Sequence, residues 1–380
     1  MKFLFLKKLN LNLVLLSVIL FSACSNDDNS NLVPQTNLQD LIVLTNNDNS
    51  EIFEQRIVNG ALVSSANLTT DLGLPSVLER FDINFPFVSF IEADEAENDF
   101  NIYQKNIVSG QIFNDSDICS NLQNGALSYH PILSDNYIGI FYFEFNGNDF
   151  PDFYLRVLDK ETGLCSVIFL GTGGFQAYTD TLVLEDILFL KIKVDDNEYK
   201  LLRIDLSTNV ITNELSFNSN FAGVLNGTDM YLFFPDNSQQ VYEVANLNLV
   251  SSEFINLDVT ISNGLNKPQV NGEEVEVFIP YQQPSIFEGA PGTISLVSGD
   301  LIKGDGNYLF QVKETLELEL SSAIDFTTFS IDIASNTVIY GYKKLSTTEN
   351  KTGGIAYGNF EGEIFEIVEL GQEPFGIIIN

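Results

Sequence analysis

The 380-residue chain has no tryptophan, one histidine, three cysteines, two methionines, and 18 basic residues against 52 acidic ones. Each shortage excludes a class of chemistry. A single imidazole, His130, cannot furnish the two or three histidines of a zinc centre. Its neighbours Ser128, Tyr129 and Pro131 belong to no Gly-x-Ser-x-Gly turn that would present a serine nucleophile. His130 is therefore assigned to a hydrogen-bonded position on an inner strand. A formal charge of −34 makes nucleic acid and bare anionic membrane poor partners. Helical signal is also missing, since no ten-residue window repeats with a 3.6-residue period. Disorder is excluded past the N-terminal segment, because 44% of the chain is apolar and 31 Phe and 14 Tyr are ample for a large core.

What is present begins at the N-terminus. Lys2, Lys7 and Lys8 precede an apolar run from Leu9 to Phe21, and small Ser22 and Ala23 lie directly before Cys24. A basic start, an apolar run and a small-residue site form an export signal, and the run is short of the ~20 residues that span a membrane. The pattern resembles a bacterial lipoprotein signal, with Phe21 where that family usually carries Leu. The resemblance implies cleavage before Cys24, acylation of Cys24 and an outer-membrane lipid anchor. Ser25-Asn26-Asp27-Asp28-Asn29 resembles the acidic signal that carries Bacteroidota lipoproteins to the cell surface. Residues 25–38 hold little to bury and read as a flexible tether. The expected organisation is signal peptide 1–23, lipidated tether 24–38 and one folded domain, 39–380. Without residues 1–23 the chain loses three lysines and no acids, so the mature protein is more acidic still.

The folded part repeats. Tight turns centre on Gly60, Gly110, Gly163, Asn209, Asn248, Gly299 and Gly362, each between two alternating strands, and Gly or Asn supplies the positive φ that such hairpins need. Two further strand candidates precede each hairpin, such as 137–143, 187–193, 229–234 and 337–342. Four strands per period of 40 to 60 residues predict an all-β, seven-bladed β-propeller of four-stranded antiparallel blades. The first unit is one strand short, and the segment 374–379 belongs to no eighth unit. A closed ring leaves no bare sheet edge, so this C-terminal strand is expected to occupy the innermost position of blade one. Asp205-Leu-Ser-Thr-Asn209 and Asp159-Lys-Glu-Thr-Gly163 resemble the hairpin of quinoprotein-like and YVTN-type propellers. The absence of Trp argues against a quinone cofactor and against WD-repeat and sialidase-type blades.

Function is less legible. The connections from second to third strands are expected on one face of the ring: 46–50, 92–99, 146–152, 194–198, 235–239, 281–291 and 345–353. Long loops on one face of a repeat protein carry its binding surface, which makes Asp48, Glu92, Asp94, Glu95, Asp149, Asp195, Asp196, Asp236, Tyr281 and Phe287 the candidate partner-facing residues, with Phe287 either an anchor or part of a packed lid. The hairpin turns opposite read as less uniformly acidic. No cofactor is expected. Calcium is possible at the oxygen-rich loops 47–51, 195–198 and 305–307, although none has the full twelve-residue spacing. No residue is assigned a catalytic role. The leading expectation is a non-catalytic binding or scaffold lipoprotein, monomeric, meeting an envelope protein or extracellular ligand. The alternatives are a carboxylate-dependent enzyme on a glycan or other exported polymer, and an outer-membrane assembly lipoprotein. Cys119 and Cys165 are expected to stay unbridged, because the strand register puts them at opposite ends of neighbouring blades, beyond the ~7 Å that a disulfide tolerates between Cα atoms.

Overall fold

The computed structural model describes residues 38–379 apart from 76–79, 85, 95–98, 116–126, 145–146, 148–150, 174–179, 196, 256–267, 281–284, 286, 288, 305–307 and 346–351. The chain forms seven four-stranded antiparallel sheets. Blade 1 contains β1 (Leu41–Asn46), β2 (Ile52–Val58) and β3 (Ala61–Asn67); blade 2 contains β4 (Arg80–Asn84), β5 (Phe87–Asp94), β6 (Asp99–Asn106) and β7 (Ile112–Asp115). Blade 3 follows with β8 (Leu127–Leu133), β9 (Tyr137–Glu144), β10 (Asp152–Asp159) and β11 (Cys165–Thr172), and blade 4 with β12 (Asp180–Leu184), β13 (Ile187–Lys193), β14 (Tyr199–Asp205) and β15 (Val210–Phe217). Blade 5 is β16 (Ala222–Asn226), β17 (Asp229–Phe233), β18 (Ser238–Glu243) and β19 (Leu249–Phe254), and blade 6 is β20 (Val270–Asn271), β21 (Glu274–Pro280), β22 (Gly289–Ser295) and β23 (Leu301–Lys303). Blade 7 comprises β24 (Ile324–Asp332), β25 (Thr337–Lys344), β26 (Gly353–Gly358) and β27 (Ile364–Glu369). The last strand, β28 (Glu373–Ile379), pairs antiparallel with β1 and completes blade 1 in the order β28-β1-β2-β3. The ring closes as the unpaired chain ends require.

Burial explains the blade order. Middle strands are apolar on both faces, as in β1, where Leu41 to Leu44 are all buried. Alternate residues face alternate neighbours: Ile42 and Leu44 pack with Ile83, Val88 and Phe90 of blade 2, whereas Leu41 and Val43 pack with Ile339, Ile355 and Tyr357 of blade 7. The described core divides into seven clusters, one for each interface between neighbouring blades. Fourth strands such as β3, β15 and β19 are mostly exposed, and they form the rim. Each blade is a meander, so second-to-third connections leave one end of the ring. First-to-second turns and third-to-fourth hairpins leave the other. Leu38, just before β1, lies against Gly60 of the hairpin end, with its N–H 3.5 Å from Asn59 Oδ1.

Two elements differ from expectation. A 13-residue helix, α2 (Tyr308–Leu320), follows the short helix α1 (Leu68–Leu72) along the chain. It buries Tyr308, Leu309, Val312 and Leu316 against blade 7. Among the described residues no helix is long and apolar enough to cross a membrane. Cys165 is disulfide-bonded, which corrects the expectation of a free thiol; the other two cysteines, Cys24 and Cys119, lie outside the described residues. That expectation assumed an outer strand of blade 2 reaching residue 119, and the described part of that strand is β7, Ile112–Asp115.

Candidate functional site

The second-to-third connections place Asp48, Asp195 and Asp236 exposed at the loop end. These loops use much of their polarity on themselves. Asp236 Oδ1 accepts from the Ser238 hydroxyl at 2.6 Å and N–H at 3.0 Å, and the hydroxyl bond above all holds its carboxyl below the usual range. Asp195 Oδ1 accepts from the Asn197 N–H at 2.7 Å. In the loop 47–51, Asn47 Oδ1 accepts from the N–H groups of Asn49 and Glu51. Such bonds are those of Asx turns. Among the described residues no three His, Cys, Asp or Glu side chains converge as a metal site.

Glu92 and Asp94 lie within β5, opposite Asn101 and Asp99, because the hairpin strands run further than the sequence pattern indicated. Glu92 Oε2 accepts from Asn101 Nδ2 at 3.0 Å and from the Tyr103 hydroxyl at 3.1 Å. Phe287 is half-buried against the blade 7 cluster, with ring centroids 4.8 Å from Phe310 and 5.8 Å from Phe326. Glu95, Asp149, Asp196, Tyr281 and the loop 305–307 lie outside the described residues, as does the side chain of His130, whose backbone sits on the inner strand β8 opposite Phe141.

The hairpin end holds a site that sequence reasoning missed. Five of the seven third-to-fourth hairpins share one construction. A polar residue caps the turn through its side chain, as Asp159 does for the N–H groups of Glu161 and Thr162 and Asp205 for Ser207 and Thr208. Four residues on, a position of positive φ accepts the chain reversal, at Gly110, Gly163, Asn209, Leu247 and Gly299. The residue after the cap donates its N–H to the first-to-second turn of its own blade: Ile107 to Pro86, Lys160 to Asn136, Leu206 to Asp186, Val244 to Thr228 and Leu296 to Glu273. In four of these five blades it is a buried aliphatic residue. In blade 3 it is Lys160. Aligning the hairpins would have exposed this break, which read in isolation is an ordinary charged turn residue.

Lys160 Nζ donates to the carbonyl oxygens of Ser134 at 2.8 Å and Asp135 at 3.2 Å, and stands 4.3 Å from the ring centroid of Phe87 in blade 2. Burial pushes its ammonium down to about 8, with the Asp135 carboxylate opposing. A cleft of about 460 Å³ opens beside it between blades 2 and 3. The aromatic residues Phe87, Phe113 and Tyr137 line it, together with the amides of Gln104, Asn106, Gln111 and Asn136 and the carboxylates of Asp135, Asp159 and Glu161. The surroundings are acidic. The Tyr137 hydroxyl is raised above its usual range first by burial, then by the charges of Asp186, Asp159, Asp205 and Glu161.

No protein-family model matches the chain, and no curated protein matches it. Solved structures do. A prolyl endopeptidase aligns with TM-score 0.50 and 10% identity over 90% of this chain and 50% of its own. The designed protein Ika8 aligns with TM-score 0.46 and 15% identity over 90% of both chains. The β-propeller domain of the Trilobed protease from Pyrococcus furiosus gives TM-score 0.43 and 11% identity over 76% of this chain and 81% of its own. At such identities the likeness concerns the fold: the chain is a seven-bladed β-propeller.

Proposed function

We propose that this propeller is an exported, lipid-anchored protein that binds or scaffolds at the cell envelope without catalysing a reaction. In this reading residues 1–23 are removed, Cys24 is acylated, 24–38 form the tether and 39–380 are the binding domain. The observation that carries it is the meeting of the tether with the ring. Leu38 joins at the hairpin end beside Gly60, and an extended tether of some fifteen residues reaches at most ~50 Å. In this reading the loops bearing Asp48, Asp195 and Asp236, at the end of the ring opposite Leu38, meet an envelope protein or extracellular ligand. Several buried acyl chains, at ~0.8 kcal/mol per methylene, would make the attachment permanent. Replacing Cys24 by Ser should move the protein from the membrane to the soluble fraction of cells; continued sedimentation with membranes would sink the anchor. Protease shaving of intact cells should then remove the propeller if it faces outward, and spare it if it faces the periplasm.

A further inference from the structure

We infer that the cleft between blades 2 and 3 is a carbohydrate subsite, taking a neutral mono- or disaccharide unit of an exported glycan. The inference rests on the binding reading above and names its ligand class. Its first support is position. The cleft lies where blade 3 breaks the hairpin pattern, with Lys160 standing in the place of the aliphatic Ile107, Leu206, Val244 and Leu296 of the other blades. Its second is the character of the walls. Among the described residues, three aromatic rings, four carboxamides, three carboxylates and one lysine line the cleft, and no aliphatic side chain does. Ligand pockets are lined mostly by hydrophobic and aromatic groups with a few placed polar ones, whereas this cleft is mostly polar, so apolar ligands do not suit it. Planar carboxylates and amides offer paired acceptors and donors for neighbouring hydroxyl groups, while the half-buried Phe113 offers a ring face to the C–H side of a sugar.

Several of the polar groups already have partners. Asp159 caps its own hairpin, Asn136 donates to Asp186, and the ammonium of Lys160 faces two carbonyls and the Phe87 ring. Among the described residues, the side chains of Gln111, Asp135 and Glu161 have no hydrogen-bond partner. They remain for a ligand. The surrounding carboxylates disfavour an anionic sugar, and the volume of about 460 Å³ falls in the range of small-ligand sites, ~300–1,000 Å³.

The test is calorimetric titration of the whole propeller domain with glucose, galactose, mannose, xylose, N-acetylglucosamine, maltose and cellobiose, with argininamide alongside. At least one sugar should bind, with affinity little changed between low and high salt. Gln111→Ala and Glu161→Gln alter exposed side chains and should leave unfolding unchanged, while each weakens that sugar about tenfold, the loss of one hydrogen bond of roughly 1.4 kcal/mol. No binding by any of these sugars overturns the proposal. So does salt-sensitive binding of argininamide alone, which would make the cleft a cation site, and so does sugar binding that both variants leave intact. None of these results touches the behaviour of Cys24→Ser, so failure here is separable from failure of the anchored binding protein itself.

Discussion

The ring is held shut by one strand, and replacing Ile377 by Ala tests that directly. Ile377 is 2% exposed and packs at the interface of blades 7 and 1 with Leu41, Val43, Ile339, Ile355 and Tyr357. Its neighbour Ile378, 6% exposed, points the other way, into the interface of blades 1 and 2 with Ile42, Leu44 and Ile83. β28 thus contributes side chains to two interfaces while supplying the backbone partner of every residue of β1. Truncating a buried isoleucine to alanine costs about 2–5 kcal/mol. With an unfolding entropy of about 2.1 cal/mol/K per residue, a ring of this size has roughly 0.7 kcal/mol/K. A loss of ~3 kcal/mol should then lower Tm by about 4 °C. Val63→Ala on the rim strand β3, where the side chain is 58% exposed, is the control and should stay within about 0.5 kcal/mol of the parent. Ile378→Ala should resemble Ile377→Ala in size, and the double variant should approach the sum, since the two side chains lie on opposite faces of the sheet. Circular dichroism through heat and guanidinium melts reads the parent and all four variants. If Ile377→Ala unfolds together with Val63→Ala, β28 does not close the ring and the assignment of blade 1 is wrong.

Two further outcomes concern single groups. Glu276 in β21 is held among blade 6 residues, where burial pushes its carboxyl up to about 7 against the opposing Gln269 N–H bond. Between its unfolded value near 4.5 and 7 the folded state binds the extra proton, so stability should fall as pH rises through this window; Glu276→Gln should remove that slope in melts from pH 4 to 8, and an unchanged slope would assign it elsewhere. Cys165 should resist thiol labelling in unfolded, unreduced protein and become reactive after reduction; labelling without reductant would contradict the bridge.

How much of this was written in the residues follows from which signals are local. Asn209 and Gly163 announce their hairpins because positive φ is restricted to few residue types, and both occupy that position. The vacancy in blade 1 was legible because a ring allows no bare edge, and β28 fills it. Helix α2 was not legible. Its buried positions, Tyr308, Leu309, Val312 and Leu316, follow helical spacing, but exposed Leu318 and the half-buried Phe310 and Leu320 lie on the remaining faces and blur the period. The cleft was hidden for a different reason. Lys160 is unusual only in comparison with Ile107, Leu206, Val244 and Leu296, and that comparison requires the hairpins to be superposed residue by residue. The acidic loop residues were legible as turn formers and ambiguous as ligands, because Asp236 capping Ser238 is the same residue type in the same loop as an Asp awaiting a partner.

The basic residues explain why so acidic a chain leaves its surface charge uncompensated. Several reach from one blade to a main-chain carbonyl of the next: Arg56 to Ile107, Lys191 to Phe221, Arg203 to Val244 and Lys303 to Ile333. Lys191 is 3% exposed, and Arg56 and Lys303 pair with Glu54 and Glu274 of their own blades, so these cations bind the ring together rather than spread over the acidic surface. The exposed pairs that remain, such as Lys200 with Glu214 and Lys344 with Glu369, are each worth only ~0–1 kcal/mol. Repulsion among the surface acids should therefore outweigh surface attraction. Salt shortens the Debye length from ~30 Å at 0.01 M to ~3 Å at 1 M, screening that repulsion while scarcely reaching the buried blade-to-blade contacts. Tm should rise as sodium chloride is raised across this range at pH 7, and rise less at pH 4, where many of the carboxylates are protonated in both states. A Tm that falls with salt at pH 7 would show that surface ion pairs, rather than the interblade contacts, dominate the electrostatics of the ring.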